Sequence, residues 1–238
     1  PTHRLAIGIY PALAFSPDGT RLAYIVVPAG PAGGRRQLFL RSMDQFETTP
    51  MPGTEDASGP FFSPNGEWVG FFAASKLKKV PVRGGAPIVL CDAGDGRGAT
   101  WGPDDTIIFA RGSAYGVGLQ RVPALGGNPE TLTTPDTNND ETGHRWPEFL
   151  PGGKRILFTI WSSVGFGNAR IAALDLQTGE RRILVKGASD AHYSADGKLV
   201  FASLAGLMVA PFDAARLELT GSPARMLEHF RASLANGG

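Results

Sequence analysis

Four histidines occur in the 238-residue chain, and two of them, His144 and His192, stand close to carboxylates: Asp140, Glu141 and Glu148 around the first, Asp190 beside the second. Two neutral imidazoles and a carboxylate form a donor set for a divalent metal, which could activate water for hydrolysis or assist proton abstraction. The spacing is neither HxxxH nor HxH. The competing reading is that each imidazole bonds backbone carbonyls at the start of a strand, with the acids as solvated loop residues. Arg97 and Arg145 each precede an aromatic, Trp101 and Phe149, by four residues. Guanidiniums at matching positions could form a fork for a carboxylate or phosphate, or could instead pair with Asp95, Asp140 or Glu148. Arg97, His144, Arg145, Asp190 and His192 are therefore the candidate ligand-binding residues. No catalytic residue and no cofactor is assigned, a divalent metal being the cofactor that the histidines would admit.

Other chemical signatures carry less. No GxSxG elbow, HExxH pair or SxxK motif in a helical context stands out, so serine hydrolase chemistry lacks a nucleophile. Gly94, Gly96 and Gly98 spell GxGxG, but no helix follows to cradle a phosphate. The single cysteine, Cys91, excludes an internal disulfide and a cysteine-built zinc cluster. It ends an apolar run at 88–90 and reads as a buried structural thiol.

The elements that must position these residues come from a repeat. An aromatic followed by a turn tetrapeptide recurs five times: Phe15 with SPDG, Phe62 with SPNG, Trp101 with GPDD, Phe149 with LPGG and Tyr193 with SADG, at spacings of 47, 39, 48 and 44 residues. That is the period of a propeller blade. In SPDG, Pro17 presets φ, Asp18 bonds back to local amides and Gly19 takes the left-handed conformation that closes a hairpin. GPDD, with Asp105 where Gly is usual, and SADG, with Ala195 in place of Pro, are weaker turns.

Each turn leads into a β-branched or aromatic run, at 22–27, 68–72, 106–109, 156–161 and 199–201, and then into a third strand, at 37–41, 77–82, 119–122, 170–176 and 207–212. A fourth follows in most units. Only near 225–234 could a helix compete. The spacing therefore predicts an all-β fold, a β-propeller of four-stranded blades with five blades visible. The blades fall roughly at 10–54, 55–94, 95–138, 139–187 and 188–230 of a single domain, with an extra strand at 1–9 and a tail at 231–238. The five aromatics are expected to pack between blades. The spare strand and the tail suggest a fragment of a larger propeller, whose incomplete end could pair with partner strands in self-association. The Gly/Pro-rich stretch 28–34 reads as a mobile loop.

Composition agrees. At 25.1 kDa with 42% hydrophobic and 19% charged residues, the chain can bury a core, and 32 Gly with 19 Pro leave few long helices. Twenty-three basic against 22 acidic residues give no field for nucleic acid or anionic membrane. The longest apolar run, 22–27, is far too short to span a bilayer, which takes about 20 residues. In a propeller, ligands meet the loops that join one blade to the next and those between second and third strands. Polar residues concentrate in the joining loops at 136–145 and 186–192.

The segments ALAFSPDGTRLAYI, GPFFSPNGEWVGFF, KLKKVPVRGGAP, HRWPEFLPGGKRILFT and LMVAPFD resemble the TolB-like propeller region found C-terminal to many bacterial serine/threonine protein kinases. More broadly they are similar to the repeats of TolB and of prolyl oligopeptidase-type peptidases. The resemblance implies an extracytoplasmic or periplasmic sensor module that binds a protein or small ligand at the channel mouth and has no active site of its own. Neither a kinase catalytic loop nor an α/β-hydrolase domain is present in the sequence. A metal-dependent hydrolase or lyase working through His144 and His192 is the alternative.

Overall fold

A computed structural model describes residues 3–5, 12–28, 35–112 and 115–227. Their only regular elements besides strands are two single 3-10 turns, Thr137–Asn139 and Phe166–Asn168. The first sheet holds β1 (His3–Leu5), β2 (Leu13–Phe15), β3 (Arg21–Pro28), β4 (Gln37–Ser42) and β5 (Thr49–Pro50). The second runs β6 (Ser58–Phe62), β7 (Trp68–Ala73), β8 (Lys76–Pro81), β9 (Ile88–Asp92). The third runs β10 (Ala99–Trp101), β11 (Thr106–Ala110), β12 (Leu119–Pro123), β13 (Glu130–Thr131), and the fourth β14 (Gly143–Phe149), β15 (Arg155–Trp161), β16 (Arg170–Asp175), β17 (Arg181–Lys186). The fifth has β18 (Ala188–Ser194), β19 (Lys198–Ser203), β20 (Gly206–Asp213), β21 (Glu218–Leu219) and β22 (Ala224–Leu227). Strands pair antiparallel in chain order, so the fold is an all-β propeller with five blades among the described residues.

The chain divides into two compact units, Pro1–Ser113 with Arg121–Glu130, and Ala114–Gln120 with Thr131–Gly238. Both faces of a blade are apolar, as the burial of Val69, Phe71 and Phe72 along β7 shows. In the first unit Ala23, Ile25 and Leu38 pack against Phe62, Val69 and Phe71, and the opposite face of the second blade, with Phe61, Phe72 and Leu77, packs against Trp101, Ile107 and Phe109. In the second unit Leu157, Ile171 and Ala173 meet Leu199, Phe201 and Phe212. Each fully buried large side chain contributes about 1.5–3 kcal/mol.

The turn tetrapeptides close as their residues dictate. Gly19, Gly66 and Gly197 have φ of 70°, 68° and 81°, and their N–H groups donate to the carbonyls of Ser16, Ser63 and Ser194. Hydrogen bonds from the Ser16 hydroxyl and the Thr20 N–H and hydroxyl hold the Asp18 carboxyl down at a pKa of about 2. The GPDD turn closes too, with Asp105 at φ 59°. Its carboxylate accepts the indole N–H of Trp101 at 3.1 Å. Lys79, only 8% exposed, lies over the Trp68 ring at 4.4 Å and donates to the Ala124 carbonyl at 2.8 Å. Burial pushes its ammonium pKa down, and the charge of Asp105 opposes that shift. A glycine at 105 would remove this charge and the indole acceptor.

Two expectations need correction. Phe62 and Trp101 are buried and Tyr193 packs on its neighbouring core, but Phe15 is 56% exposed and Phe149 is half-buried. The side chains of Phe62, Trp101 and Tyr193 point toward the preceding blade. Along β2 it is Ala14 that packs on the first unit's core, so Leu13 and Phe15, by strand alternation, occupy the opposite face. The extra strand at 1–9 pairs as β1 with β3 of its own blade, end to end with β2 along the same edge. The only described part of 225–234 is extended, since Ala224–Leu227 pairs with β20. The loop 28–34 beyond Pro28 and the tail 231–238 lie outside the described residues.

Gly96 and Gly98 are explained by packing. A Cβ at Gly96 would lie 2.2 Å from the Phe72 ring, and Gly98 has φ of 93°. Replacing Gly96 by Ala is therefore expected to destabilise the protein by about 1–3 kcal/mol in urea denaturation, with an unchanged circular dichroism spectrum.

Candidate functional site

A left-handed residue breaks the inner strand three positions before the aromatic in four blades: Gly59 before Phe62, Gly98 before Trp101, Trp146 before Phe149 and Asp190 before Tyr193. Register shifts mark β-bulges there in β6, β14 and β18. A bulge re-aims the side chains beside it. At Gly59 and Gly98 it costs little, but Trp146 sits at φ 48°, a conformation a bulky residue enters at about 1–3 kcal/mol. The bulges of the second unit place Arg145, Trp146, Asp190 and His192, three of them candidate positions.

His144 sits one residue into β14 and is 1% exposed. Its Nδ1 lies 2.7 Å from the Thr133 hydroxyl and its Nε2 lies 3.2 Å from Glu141 Oε2. A neutral ring protonated on Nε2 satisfies both, accepting from Thr133 and donating to Glu141. Burial lowers the His144 pKa to about 4, against the opposing pull of Glu141. Glu141 itself is 2% exposed. Burial would raise its pKa, but the Asp136 N–H, Arg181 at 2.8 Å and His144 hold it below the ordinary value. The Arg170 guanidinium stands 3.7 Å away. Both nitrogens of His144 are thus spent within the protein.

His192 joins two blades of the same unit. Its Nδ1 lies 2.5 Å from Glu148 Oε2 on β14, and its Nε2 lies 3.5 Å from Asp190. The second Glu148 oxygen accepts the Tyr193 N–H at 2.7 Å. Packing around the ring disfavours its charge, yet the Asp190 and Glu148 carboxylates outweigh this and hold its pKa well above the usual value. The two carboxylates engage opposite edges of the ring, an arrangement that clamps an imidazolium rather than a metal. Among the described residues no group of three or more His, Cys, Asp and Glu side chains is placed to hold a metal ion.

Arg145 stacks on the Trp161 ring at 4.3 Å and reaches Trp146 at 5.7 Å. Arg97 is half-buried in the first unit, its backbone N–H donating to the Ala110 carbonyl. His144, Arg145, Asp190 and His192 all belong to the second unit. Cys91 is 7% exposed, and burial raises its pKa to about 11.

Sequence reasoning missed Arg170 and Arg181. Arg170 opens the third strand of its blade and Arg181 the fourth, and only register shows that Arg170 faces Lys186 directly across β16 and β17. A cation opening the otherwise apolar run at 170–174 was the one available signal.

No protein-family model matches the sequence, and no curated protein matches it. Solved structures match over most of its length. TolB from Acinetobacter baumannii is 20% identical with a TM-score of 0.64, over 86% of this chain and 52% of its own. The chain therefore spans about half the length of that protein. The TolB-type protein of Agrobacterium tumefaciens is 18% identical with a TM-score of 0.67, over 93% of this chain and 81% of its own. An oligogalacturonate lyase in complex with manganese is 16% identical with a TM-score of 0.62, over 93% and 65%. The fold is TolB-like. TolB and a lyase share this architecture, so it does not by itself separate a binding protein from an enzyme. Among the described residues no helix is long and apolar enough to cross a membrane.

The state of His144 has a pH signature. Its folded pKa of about 4 lies below the ordinary 6.5, so the unfolded chain takes up a proton that the folded chain refuses. Its stabilising contribution is complete above pH 6.5 and is lost as pH falls through 4. Glu141, with a lowered pKa, acts in the same direction. His192, with a raised pKa, has the opposite sign, adding stability below 6.5 that is lost as pH rises through its folded pKa. The stability difference between the native chain and His144→Gln, measured by urea unfolding, is expected to shrink by about 3 kcal/mol between pH 6.5 and 4.

Proposed function

We propose that this chain is a non-catalytic TolB-like propeller module that binds a protein or small ligand through its blade-joining loops. In this reading it serves as an extracytoplasmic sensor region of the kind that the resemblance to bacterial receptor-kinase propellers implies. The observation that carries the proposal is the engagement of His144, whose two ring nitrogens face Thr133 and Glu141. A general base or metal ligand needs a free lone pair turned toward the substrate or ion. His144 offers none, and His192 is held as a cation between Glu148 and Asp190.

The resemblance in fold to a manganese-containing lyase keeps the metal-dependent alternative chemically concrete. It would require His144 to leave a site where it is 1% exposed and to abandon the buried Glu141 carboxylate. Removing one member of such a buried pair costs about 3–5 kcal/mol.

Native mass spectrometry decides between the readings. After incubation with excess manganese or zinc and desalting, the native chain is expected to show the mass of the bare polypeptide, and His192→Ala the same mass less the side-chain difference. A stoichiometric metal on the native chain that disappears in His144→Ala and His192→Ala would overturn the binding-module proposal.

A further inference from the structure

A cavity of about 280 Å³ opens in the second unit where the turn at Asn139 and Asp140, the 3-10 turn at Gly167 and Asn168, and the junction at Lys186 and Gly187 converge. These are a joining loop, the loop between second and third strands, and the next joining loop of one blade, the loops that carry ligands in the reading above. Two cations border it. Arg170 opens β16 and Lys186 closes β17, and they are directly opposed in the register of the two strands. Like charges placed opposite each other on neighbouring strands destabilise a sheet.

The acids near these cations are shared with other donors. Asp140 lies in the wall, but both its oxygens are committed, one to the Ser162 hydroxyl and the other to the Ser163 N–H and hydroxyl. Glu141 is bonded by Arg181, His144 and the Asp136 N–H, and its nearest approach to Arg170 is 3.7 Å. Arg170 donates through Nη2 to the Asn139 carbonyl at 3.0 Å, while its Nε is fully buried and finds no acceptor. Lys186 is exposed and forms no ion pair with any described residue. A buried guanidinium N–H without an acceptor is a costly omission in a folded protein. An oxyanion in the cavity would meet the Arg170 and Lys186 side chains together and relieve the opposition of the two cations.

We infer that this cavity binds the carboxylate or phosphate group of a small ligand, held between Arg170 and Lys186. The inference rests on the binding-module reading and gives it a ligand chemistry. Arg170 contributes the directional contact from its guanidinium edge, and Lys186 a mobile point charge at the rim.

The test is a titration of the 15N-labelled chain by NMR at constant ionic strength, once with inorganic phosphate and once with acetate, following the Arg170 Nε–Hε resonance. A saturable shift of that resonance is expected with at least one anion, and the stronger of the two identifies the ligand group as phosphate or carboxylate. Lys186→Gln, which leaves the Glu141 network untouched, is expected to weaken binding about tenfold. Neither anion giving a saturable shift, or equal affinity in the native chain and Lys186→Gln, would overturn the inference. Either result would leave the binding-module proposal standing, since that proposal falls to a stoichiometric metal held by the histidines.

Discussion

A carboxylate 2% exposed to solvent has to be met by donors and positive charge, and Glu141 is met by four groups from separate stretches of the second unit. The Asp136 N–H, the His144 ring and the Arg181 guanidinium bond it, with Arg170 beyond them. His144 passes the constraint on to Thr133, whose hydroxyl also accepts the Leu119 N–H at 2.8 Å. One buried charge therefore fixes the joining loop, the start of β14 and the edges of β16 and β17. It also accounts for both His144 ring nitrogens being engaged within the protein. Burying such a network is costly unless every member is satisfied, and the one unsatisfied member is the buried Nε of Arg170, a residue that lines a cavity.

The blades supply the rigid background. A four-stranded sheet with two apolar faces is stable only between neighbours, and that requirement turns Phe62, Trp101 and Tyr193 toward the preceding blade. The bulge three residues earlier is where the same strand escapes regular pairing and sends polar side chains into the loops. Packing and site geometry are in this sense one device: the strand that packs Tyr193 against the core exposes His192 beside it. Leu13 and Phe15 on β2 are exposed.

The strand order and the blade period were legible because turn chemistry is local. A serine, an Asp or Asn and a glycine within four residues specify a hairpin whatever surrounds them. The left-handed positions fall on glycine at Gly59 and Gly98, but on Trp146 in β14, whose side chain argues against the conformation that the fold imposes on it. Of the five candidate residues, His144, Arg145, Asp190 and His192 fall in the second unit and Arg97 in the first, and their partnerships were not legible. His144 and Glu141 are three residues apart and could be guessed as a pair; Thr133, Arg181 and Arg170 reach them through strand pairing, and the opposition of Arg170 to Lys186 depends on a register that a bulge between Ile171 and Ala172 shifts. Sequence periodicity carries no record of such a shift.

The most direct test of this organisation is the stability of Glu141→Gln, measured by urea unfolding at neutral pH. If the buried carboxylate holds the loop end together, the variant loses about 3–5 kcal/mol, because Arg181 and Arg170 are left without their countercharge. A loss below about 1 kcal/mol would contradict it, the value expected of an exposed ion pair whose partners are free to turn to solvent.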